Sequence, residues 1–269
     1  MNDFASVLVV WYNFHVAGNA CFFLEACRLR RNAPLVSQSR HLNEKINIAI
    51  DGPAGAGKST VARMVAKALS YVYVDTGAMY RAVTWVMLKS GISPEDEQQV
   101  LQTAQNLVID LIPSEEGQKV LVDGKEVTRE IRSLEVSSQV SRYAQIEGLR
   151  SLMVTLQRQM ALRKGVVMDG RDIGTTVLPD AEVKVFMTAD AAERARRRYL
   201  ELKDTTNVSL EQLERDITER DRLDAGREIS PLRQADDATL LDTTQMSIEE
   251  VAEAIVSMCR LYGMERSKG

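Results

Sequence analysis

The chain has 269 residues, of which 45% are hydrophobic and 27% are charged, and its formal net charge at pH 7 is −4. This length suits one large α/β domain with small insertions, and the composition is that of an ordinary globular protein. The negative net charge argues against nonspecific binding to a nucleic-acid polymer or to an anionic membrane. Clusters of arginine still leave room for a local anionic ligand.

The few cysteines and histidines do not form a recognisable pattern. Metal-ligand spacing and a disulfide framework are both absent from the set Cys21, Cys27, Cys259, His15 and His41. We therefore expect a protein of the reducing cytoplasm.

The first 43 residues differ from the rest of the chain. Phe4 to Leu24 carries no charged residue, and its length approaches the ~20 residues that span a bilayer, which leaves a membrane anchor as one interpretation. Polar residues such as His15 and Asn19 interrupt it, however, and no Lys or Arg precedes it as in a secretory signal. We favour a non-essential extension at residues 1–43 and expect no membrane association.

A regular pattern begins at Ile46. The apolar run 46–50 predicts a strand, and Val61, Val65 and Leu69 recur at the spacing of a helix. The turn between them matches G-x-x-x-x-G-K-[ST] in full: Gly52-Pro53-Ala54-Gly55-Ala56-Gly57-Lys58-Ser59.

This motif, between a strand and a helix, predicts a phosphate-binding P-loop. Its backbone N–H groups wrap phosphate oxygens at a helix N-terminus, Lys58 reaches the β and γ phosphates, and the Ser59 hydroxyl can bind Mg²⁺. A motor or transporter ATPase stays possible at this point, whereas the N-K-x-D loop of a GTPase is missing from the sequence. The residues predicted to contact ATP are Gly52, Pro53, Ala54, Gly55, Ala56, Gly57, Lys58, Ser59 and Thr60.

A second strand and helix are predicted at 71–74 and 77–89, and strands that alternate with helices indicate a parallel sheet. The block Asp75 to Arg81 lies where the second strand ends, at the edge of the sheet where ligands bind in open α/β folds. The Thr76 hydroxyl and the Arg81 guanidinium could hold an acceptor phosphate there. The alternative is a helix cap with an exposed arginine.

Short runs at 107–112, 120–122 and 125–127 predict a small antiparallel sheet, because Asp123-Gly124 is a strong hairpin signal. We interpret residues 92–133 as an insertion, which could be a substrate lid or only decoration.

The strand predicted at 166–168 ends in Asp169-Gly170-Arg171-Asp172. Asp169 occupies the place where P-loop enzymes keep an acid near the waters of Mg²⁺. Arg171 and Asp172 would face the ligand crevice, unless these charges form only a structural ion pair. Further strands are predicted at 183–186 and 239–241.

Two arginine groups follow on helices. Arg194, Arg197 and Arg198 share one face by i, i+3, i+4 spacing, and a second group spans 220–227. Charge runs on helices are usually solvated faces, but phosphoryl transfer needs several cations around its phosphates. Ser209 and Ser247 each begin a capping-box pattern that predicts a helix start.

Three blocks in this order (75–81, 169–175 and 220–232) resemble the bacterial cytidylate kinases, which are P-loop nucleoside monophosphate kinases. The similarity runs from about Glu44 to the C-terminal helix. It implies a domain at 44–265 with a doubly wound, mostly parallel α/β sheet, an inserted CMP-binding β subdomain at 92–133, and an arginine-rich lid with substrate-contact helices at about 190–227. The implied activity is ATP-dependent phosphorylation of CMP and dCMP to CDP and dCDP in pyrimidine nucleotide metabolism.

The resemblance also implies roles for single residues. Thr76, Arg81, Arg171 and Arg227 would bind the acceptor phosphate; Ser141, Arg150 and Asp172 would read cytosine; and Arg220 and Asp224 would lie at the ribose. Catalysis would fall to Lys58 with the lid residues Arg194, Arg197 and Arg198, and Mg²⁺ to Ser59 and, through water, Asp169. We expect a monomer that binds ATP, CMP and dCMP.

Two alternatives to this function remain: a P-loop kinase with another acceptor, such as uridylate or adenylate, and a P-loop switch protein with no small acceptor.

Overall fold

The computed structural model describes residues 45–114, 117–203 and 208–266. They belong to a compact unit that begins at Leu42. The extension predicted at residues 1–43 lies outside the described residues. No described helix is both long enough and apolar enough to cross a bilayer.

A five-stranded sheet with the order β2-β6-β1-β7-β8 forms the centre of the fold. All four of its strand pairings are parallel. The predicted α/β class with a parallel sheet is therefore confirmed. Its strands are β1 (Asn47–Asp51), β2 (Val72–Asp75), β6 (Val166–Gly170), β7 (Val183–Thr188) and β8 (Thr239–Asp242).

Helices cover both faces of this sheet. The strands β1 and β6 are buried along their whole length, as expected of central parallel strands. Successive β1 side chains enter opposite cores, Ile48 and Ile50 one and Ala49 the other. The helices are α1 (Lys58–Leu69), α2 (Thr76–Lys89), α3 (Glu97–Gln105), α4 (Leu134–Tyr143), α5 (Glu147–Ala161), α6 (Ala191–Leu202), α7 (Leu210–Ala225) and α8 (Ile248–Arg266).

Both predicted helix caps are present. The Ser209 hydroxyl accepts a hydrogen bond from the N–H of Gln212 at 3.2 Å. At the start of α8, Ser247 and Glu250 exchange reciprocal side-chain-to-backbone bonds of 3.2 and 2.8 Å. Local sequence thus sets where these two helices begin.

The predicted insertion contains the expected antiparallel sheet, formed by β3 (Ile109–Ser114), β4 (Gly117–Val122) and β5 (Lys125–Glu126). Asp123 and Gly124 have φ values of 49° and 78°, which the tight turn between β4 and β5 requires. The insertion also includes the helix α3, which the sequence pattern did not predict because only Val100 and Ala104 of this helix are buried.

The small sheet docks on the edge of the large one through Gln118 and through apolar side chains of β3 and β4 that pack in the same core as Val74 of β2. The Gln118 amide donates to the carbonyl of Tyr73 at 2.7 Å and accepts from the N–H of Asp75 at 3.2 Å. It thereby occupies hydrogen-bonding groups that the edge strand β2 would otherwise leave open. The insertion is held beside the carboxyl end of β2, where the candidate site lies.

Candidate active site

The P-loop connects the end of β1 to the start of α1. Gly55 and Gly57 have φ values of 76° and 85°, a left-handed backbone that favours glycine. The Lys58 ammonium lies across the loop and donates to the carbonyl of Pro53 at 2.7 Å. Burial, together with the positive charge of Arg171, lowers the pKa of Lys58 to about 7. A polyphosphate in this loop would favour the charged ammonium and so raise that pKa.

An ion pair contacts the P-loop backbone at Ala54. Arg194 donates to the carbonyl of Ala54 at 2.8 Å and pairs with Asp221 at 2.5 Å, while Asp221 accepts from the N–H of Ala54 at 3.2 Å. Arg194 is buried and does not line the cleft described below, whereas Arg197 and Arg198 do. The three arginines predicted on one helix face therefore lie in two different environments.

A hydroxyl and a carboxylate meet beside the loop. The Ser59 hydroxyl donates to Asp169 Oδ2 at 2.9 Å, and the Tyr73 hydroxyl donates to Oδ1 at 2.8 Å. Burial raises the pKa of Asp169 to about 6, with a further contribution from the charge of Asp75. These oxygen donors suit Mg²⁺, which usually keeps waters and phosphate ligands. Among the residues that the structure describes, no group of three or more His, Cys, Asp or Glu side chains is arranged to hold a metal ion.

Away from the P-loop, Asp224 is the common partner of several polar side chains. It accepts hydrogen bonds from Ser141 at 2.9 Å and from Arg171 at 2.8 Å, and it also pairs with Arg227. Burial by itself would raise the pKa of Asp224, but the guanidinium groups of Arg171, Arg227 and Arg220 outweigh it and lower this pKa to about 2. Asp224 is thus a buried anion that holds several cations in place.

A second buried ion pair joins α5 to the segment after β6. Arg150 pairs with Asp172 Oδ2 at 2.6 Å and donates to the carbonyl of Ala144 at 3.0 Å. The Arg150 guanidinium carbon also lies 5.5 Å from the centroid of the Tyr80 ring, within the range of a cation–π contact. Two of the three side chains predicted to read cytosine, Arg150 and Asp172, are therefore in direct contact with each other.

The segment from Asp75 to Arg81, at the start of α2, contains an ion pair between its first and last residues. Arg81 pairs with Asp75 at 3.0 Å, and the exposed Arg132 reaches the same carboxylate at 3.8 Å. The Thr76 hydroxyl donates to the carbonyl of Asp169 at 2.7 Å. Arg132 was not predicted as a site residue, because it lies in a short 3₁₀ turn with no motif around it.

The Arg220 side chain is half-buried, and its buried Nε has no hydrogen-bond partner among the residues that the structure describes. Burial lowers the pKa of Arg220 to about 10, and the positive charges of Arg171 and Arg81 act in the same direction. A buried cation among other cations is stabilised when an anion binds beside it. The acceptor side is therefore suited to an anionic ligand.

Most of these groups line one cleft with a cavity volume of ≈ 1490 Å³. Sites for one small molecule usually occupy about 300–1,000 Å³, so this cleft can hold two ligands of nucleotide size. Of the residues predicted from sequence, only Gly52, Pro53 and Arg194 do not line it. Those that do are Ala54, Gly55, Ala56, Gly57, Lys58, Ser59, Thr60, Thr76, Arg81, Ser141, Arg150, Asp169, Arg171, Asp172, Arg197, Arg198, Arg220, Asp224 and Arg227. Asp75, Tyr80 and Arg132 line it without having been predicted.

Known proteins are similar in sequence to this chain over most of its length. The family model described as "Cytidylate kinase" matches residues 48–261. A cytidylate kinase of Limosilactobacillus reuteri is 54% identical over 212 residues, which cover 78% of this chain and 93% of that protein. A cytidylate kinase of Bacillus cereus is 51% identical over 218 residues, 81% of this chain and 97% of its own.

Among solved structures, the shikimate kinase of Acinetobacter baumannii is 17% identical with a TM-score of 0.40, over 82% of this chain and 97% of that one, a likeness too loose to support an argument. The family match covers well over half of the chain and spans the P-loop and the acceptor side alike. It confirms the resemblance drawn from the sequence blocks, and the chain belongs to the cytidylate kinase family.

Proposed function

We propose that this protein transfers the γ-phosphate of ATP to CMP and dCMP, forming ADP with CDP or dCDP. One observation carries the proposal: a single cleft has a P-loop at one end and, at the other, an arginine cluster beside a buried carboxylate–guanidinium pair. The first end suits a triphosphate, and the second suits a monophosphate whose base offers both donors and acceptors. Membership of the family supports the same pairing.

ATP would bind over the P-loop. Backbone N–H groups of residues 54–60 would surround its phosphates, and Lys58 would leave the Pro53 carbonyl for the β and γ phosphate oxygens. Arg197 and Arg198 line the cleft from α6 and would neutralise charge on the transferring group. Arg194 would instead keep the loop in shape through Ala54 and Asp221.

Mg²⁺ would bind at the Ser59 hydroxyl, with Asp169 holding its waters. The ion would neutralise the charge that develops on the phosphate oxygens. The Ser59–Asp169 contact of 2.9 Å supports this site, because it brings a hydroxyl and a carboxylate together at the first turn of α1.

CMP would bind opposite, with its phosphate at Arg81, Arg171 and Arg227 and its ribose at Arg220 and Asp224. The paired carboxylates Asp75 and Asp224 already orient three of these arginines. The acceptor oxygen is anionic at neutral pH, so the reaction needs no general base. That oxygen bonds to the γ-phosphorus as the bond from phosphorus to the bridging oxygen of ADP breaks, and the enzyme contributes positioning and charge neutralisation.

The Arg150–Asp172 pair would select the base, together with Ser141. Asp172 Oδ2 accepts from Arg150, which leaves Oδ1 for the N4 amino group of cytosine. Arg150 can in turn donate to N3 or O2. Uracil presents an acceptor at position 4 and a donor at N3, and leaving such buried groups unpaired costs about 1–3 kcal/mol each. We therefore expect a preference for CMP over UMP of at least about tenfold in kcat/KM.

The test is turnover of CMP, dCMP, UMP and AMP with ATP and Mg²⁺, in the wild type and in Asp172→Asn. We expect CMP and dCMP to be the preferred acceptors, and the variant to lose most of that preference through weaker use of CMP. Equal loss on CMP and UMP in the variant would make Asp172 a structural or general catalytic residue. Preference for another nucleotide, or slow ATP hydrolysis alone, would contradict the proposed function.

All proposed contacts come from one chain, and we propose that the active species is a cytoplasmic monomer. Sedimentation of the active enzyme, with and without nucleotides, tests whether the active species is a monomer. A dimer as the only active species would contradict it.

A further inference from the structure

A π-helical turn at Ile173–Val177 begins directly after Asp172. Its first carbonyl is that of Asp172, which accepts from the N–H groups of Thr176 at 2.8 Å and Val177 at 3.1 Å. The backbone of Asp172 is thus part of the turn. Any shift of the turn would move the carboxylate that faces the cleft.

A buried carboxylate holds the start of this turn. Asp51 Oδ1 accepts from the N–H of Ile173 at 2.8 Å, and Oδ2 accepts from the N–H of Gly174 at 2.7 Å. A Cβ on Gly174 would lie 3.4 Å from Asp51 Oδ2 and 3.3 Å from the Lys184 side chain, so glycine permits this close approach. Asp51 is 5% exposed and does not line the cleft.

A guanidinium group holds the end of the same turn. Arg158 donates to the carbonyls of Thr176 at 2.7 Å and Val177 at 3.0 Å. Arg158 lies on α5, two turns after Arg150, which pairs with the Asp172 side chain. Hydrogen-bond acceptors at the N–H end and a positive group at the carbonyl end both stabilise a helical turn.

We propose that Asp51 and Arg158 are positioning residues for base selection: together they fix the turn that presents Asp172 to the acceptor base. This inference rests on the proposed function of Asp172. Asp51 is the last residue of β1, and the P-loop begins at the next residue, Gly52. The position of Asp172 is therefore tied directly to the loop that would bind ATP.

The kinetic test compares the CMP/UMP ratio of kcat/KM in Asp51→Asn, Arg158→Met and a control. The amide introduced by Asp51→Asn can accept from only one of the two N–H groups and sets its NH₂ against the other. We expect the ratio to fall about threefold to tenfold in Asp51→Asn, mainly through KM for CMP, and to fall less in Arg158→Met. The control Glu182→Gln alters a carboxylate that accepts from the N–H of Asn47 at 2.8 Å, at the other end of β1. It should leave the ratio unchanged.

A second measurement needs no nucleotide. Amide hydrogen exchange at Ile173 and Gly174 should become at least about tenfold faster in Asp51→Asn and stay unchanged in Glu182→Gln. An unchanged CMP/UMP ratio in both turn variants, in an enzyme whose wild type prefers CMP, would overturn the inference. If Asp51→Asn does not fold, Arg158→Met must lower the ratio by itself, and an unchanged ratio overturns the inference again. A wild type without any preference for CMP would instead contradict the proposed function, and the exchange rates would still test whether Asp51 holds the turn.

Discussion

The two ends of the cleft offer groups for anion binding in different ways. The donor end is one continuous segment, residues 54–60, whose backbone and single lysine line the cleft. The acceptor end takes side chains from separate elements, among them Arg81 on α2, Ser141 on α4, Arg150 on α5 and Asp224 on α7. The first depends on local conformation, whereas the second depends on how the elements pack.

The difference also concerns charge. Lys58 donates to a neutral carbonyl, that of Pro53, and the buried carboxylates of Asp51 and Asp169 act on its charge without forming an ion pair with it, so its removal breaks no direct ion pair. The acceptor arginines are held by the carboxylates Asp75, Asp172 and Asp224. Removing one partner of a buried ion pair leaves an uncompensated charge and costs stability. Removal of Lys58 should therefore affect mainly activity, whereas changes at the acceptor end should affect both activity and stability.

The largest expected effect is the loss of transfer in Lys58→Ala. We expect kcat/KM to fall at least about 10²–10³-fold, the loss typical of removing one preorganised donor, while the melting temperature stays close to that of the wild type. Steady-state turnover of CMP and thermal unfolding together measure this. The control Lys67→Ala changes an exposed lysine at the far end of the same helix and should retain normal activity. Near-normal turnover by folded Lys58→Ala would contradict the P-loop assignment.

Asp224→Asn should give the largest loss of stability. It removes the charge that holds Arg171 and Arg227 in a buried position, and we expect about 3 kcal/mol of destabilisation in urea unfolding. The matched change Glu253→Gln breaks an exposed carboxylate–arginine pair and should cost less than about 1 kcal/mol. Similar costs for the two variants would remove the contrast between the ends of the cleft.

The same carboxylate makes stability depend on pH. Because the pKa of Asp224 is about 2 in the folded protein, below its usual value of about 3.9, its charge stabilises the fold above pH ~4. That contribution, about 2 kcal/mol, is lost as the pH falls towards 2. The difference in unfolding free energy between the wild type and Asp224→Asn should therefore narrow between pH 5 and pH 2.5. A constant difference over this range would mean that charge is not the cause.

Arg197→Ala should have a smaller effect, on rate more than on binding. Arg197 lines the cleft and is held by Glu193 at 2.9 Å and by the carbonyl of Thr243 at 2.7 Å. Single arginines can contribute ~10³–10⁵ in rate, but Arg198 shares the task, so we expect kcat to fall about tenfold with KM for CMP little changed. The control Arg260→Ala, on an exposed ion pair of α8, should leave kcat unchanged. An unchanged kcat even in the double variant Arg197→Ala/Arg198→Ala would mean that these arginines form only a solvated helix face and do not act in catalysis.

The smallest expected effect is that of shortening the chain. Every residue assigned to either end lies between Asp51 and Arg227, and the compact unit begins at Leu42. A chain that begins at Leu42 should therefore keep the kcat, the KM values and the yield of soluble protein of the full chain. Loss of activity, or membrane partitioning of the full chain alone, would show that residues 1–41 have a function.

Much of the fold was predictable because its signals are local. The strand, P-loop and helix at 46–69 follow from contiguous residues, and the turn at Asp123-Gly124 and the two serine caps follow from short-range hydrogen bonding. The helix α3 could not be predicted in this way, since its two buried residues, Val100 and Ala104, give too weak a period. Its place in the fold depends on packing within the insertion.

The sequence by itself predicted the P-loop, the alternation of strands and helices that makes a parallel sheet, and most of the charged residues that line the cleft, because their signals lie in short contiguous segments. Tertiary structure decided which charges meet. Helical spacing put Arg194 on the same face as Arg197, yet packing against Ala54 and Asp221 buried it beneath the loop. Likewise Asp51 reaches Gly174 across 123 positions of the chain. Periodicity places a side chain on a face, but only the assembled layers set what lies opposite, and for charged groups the opposite partner sets both pKa and role.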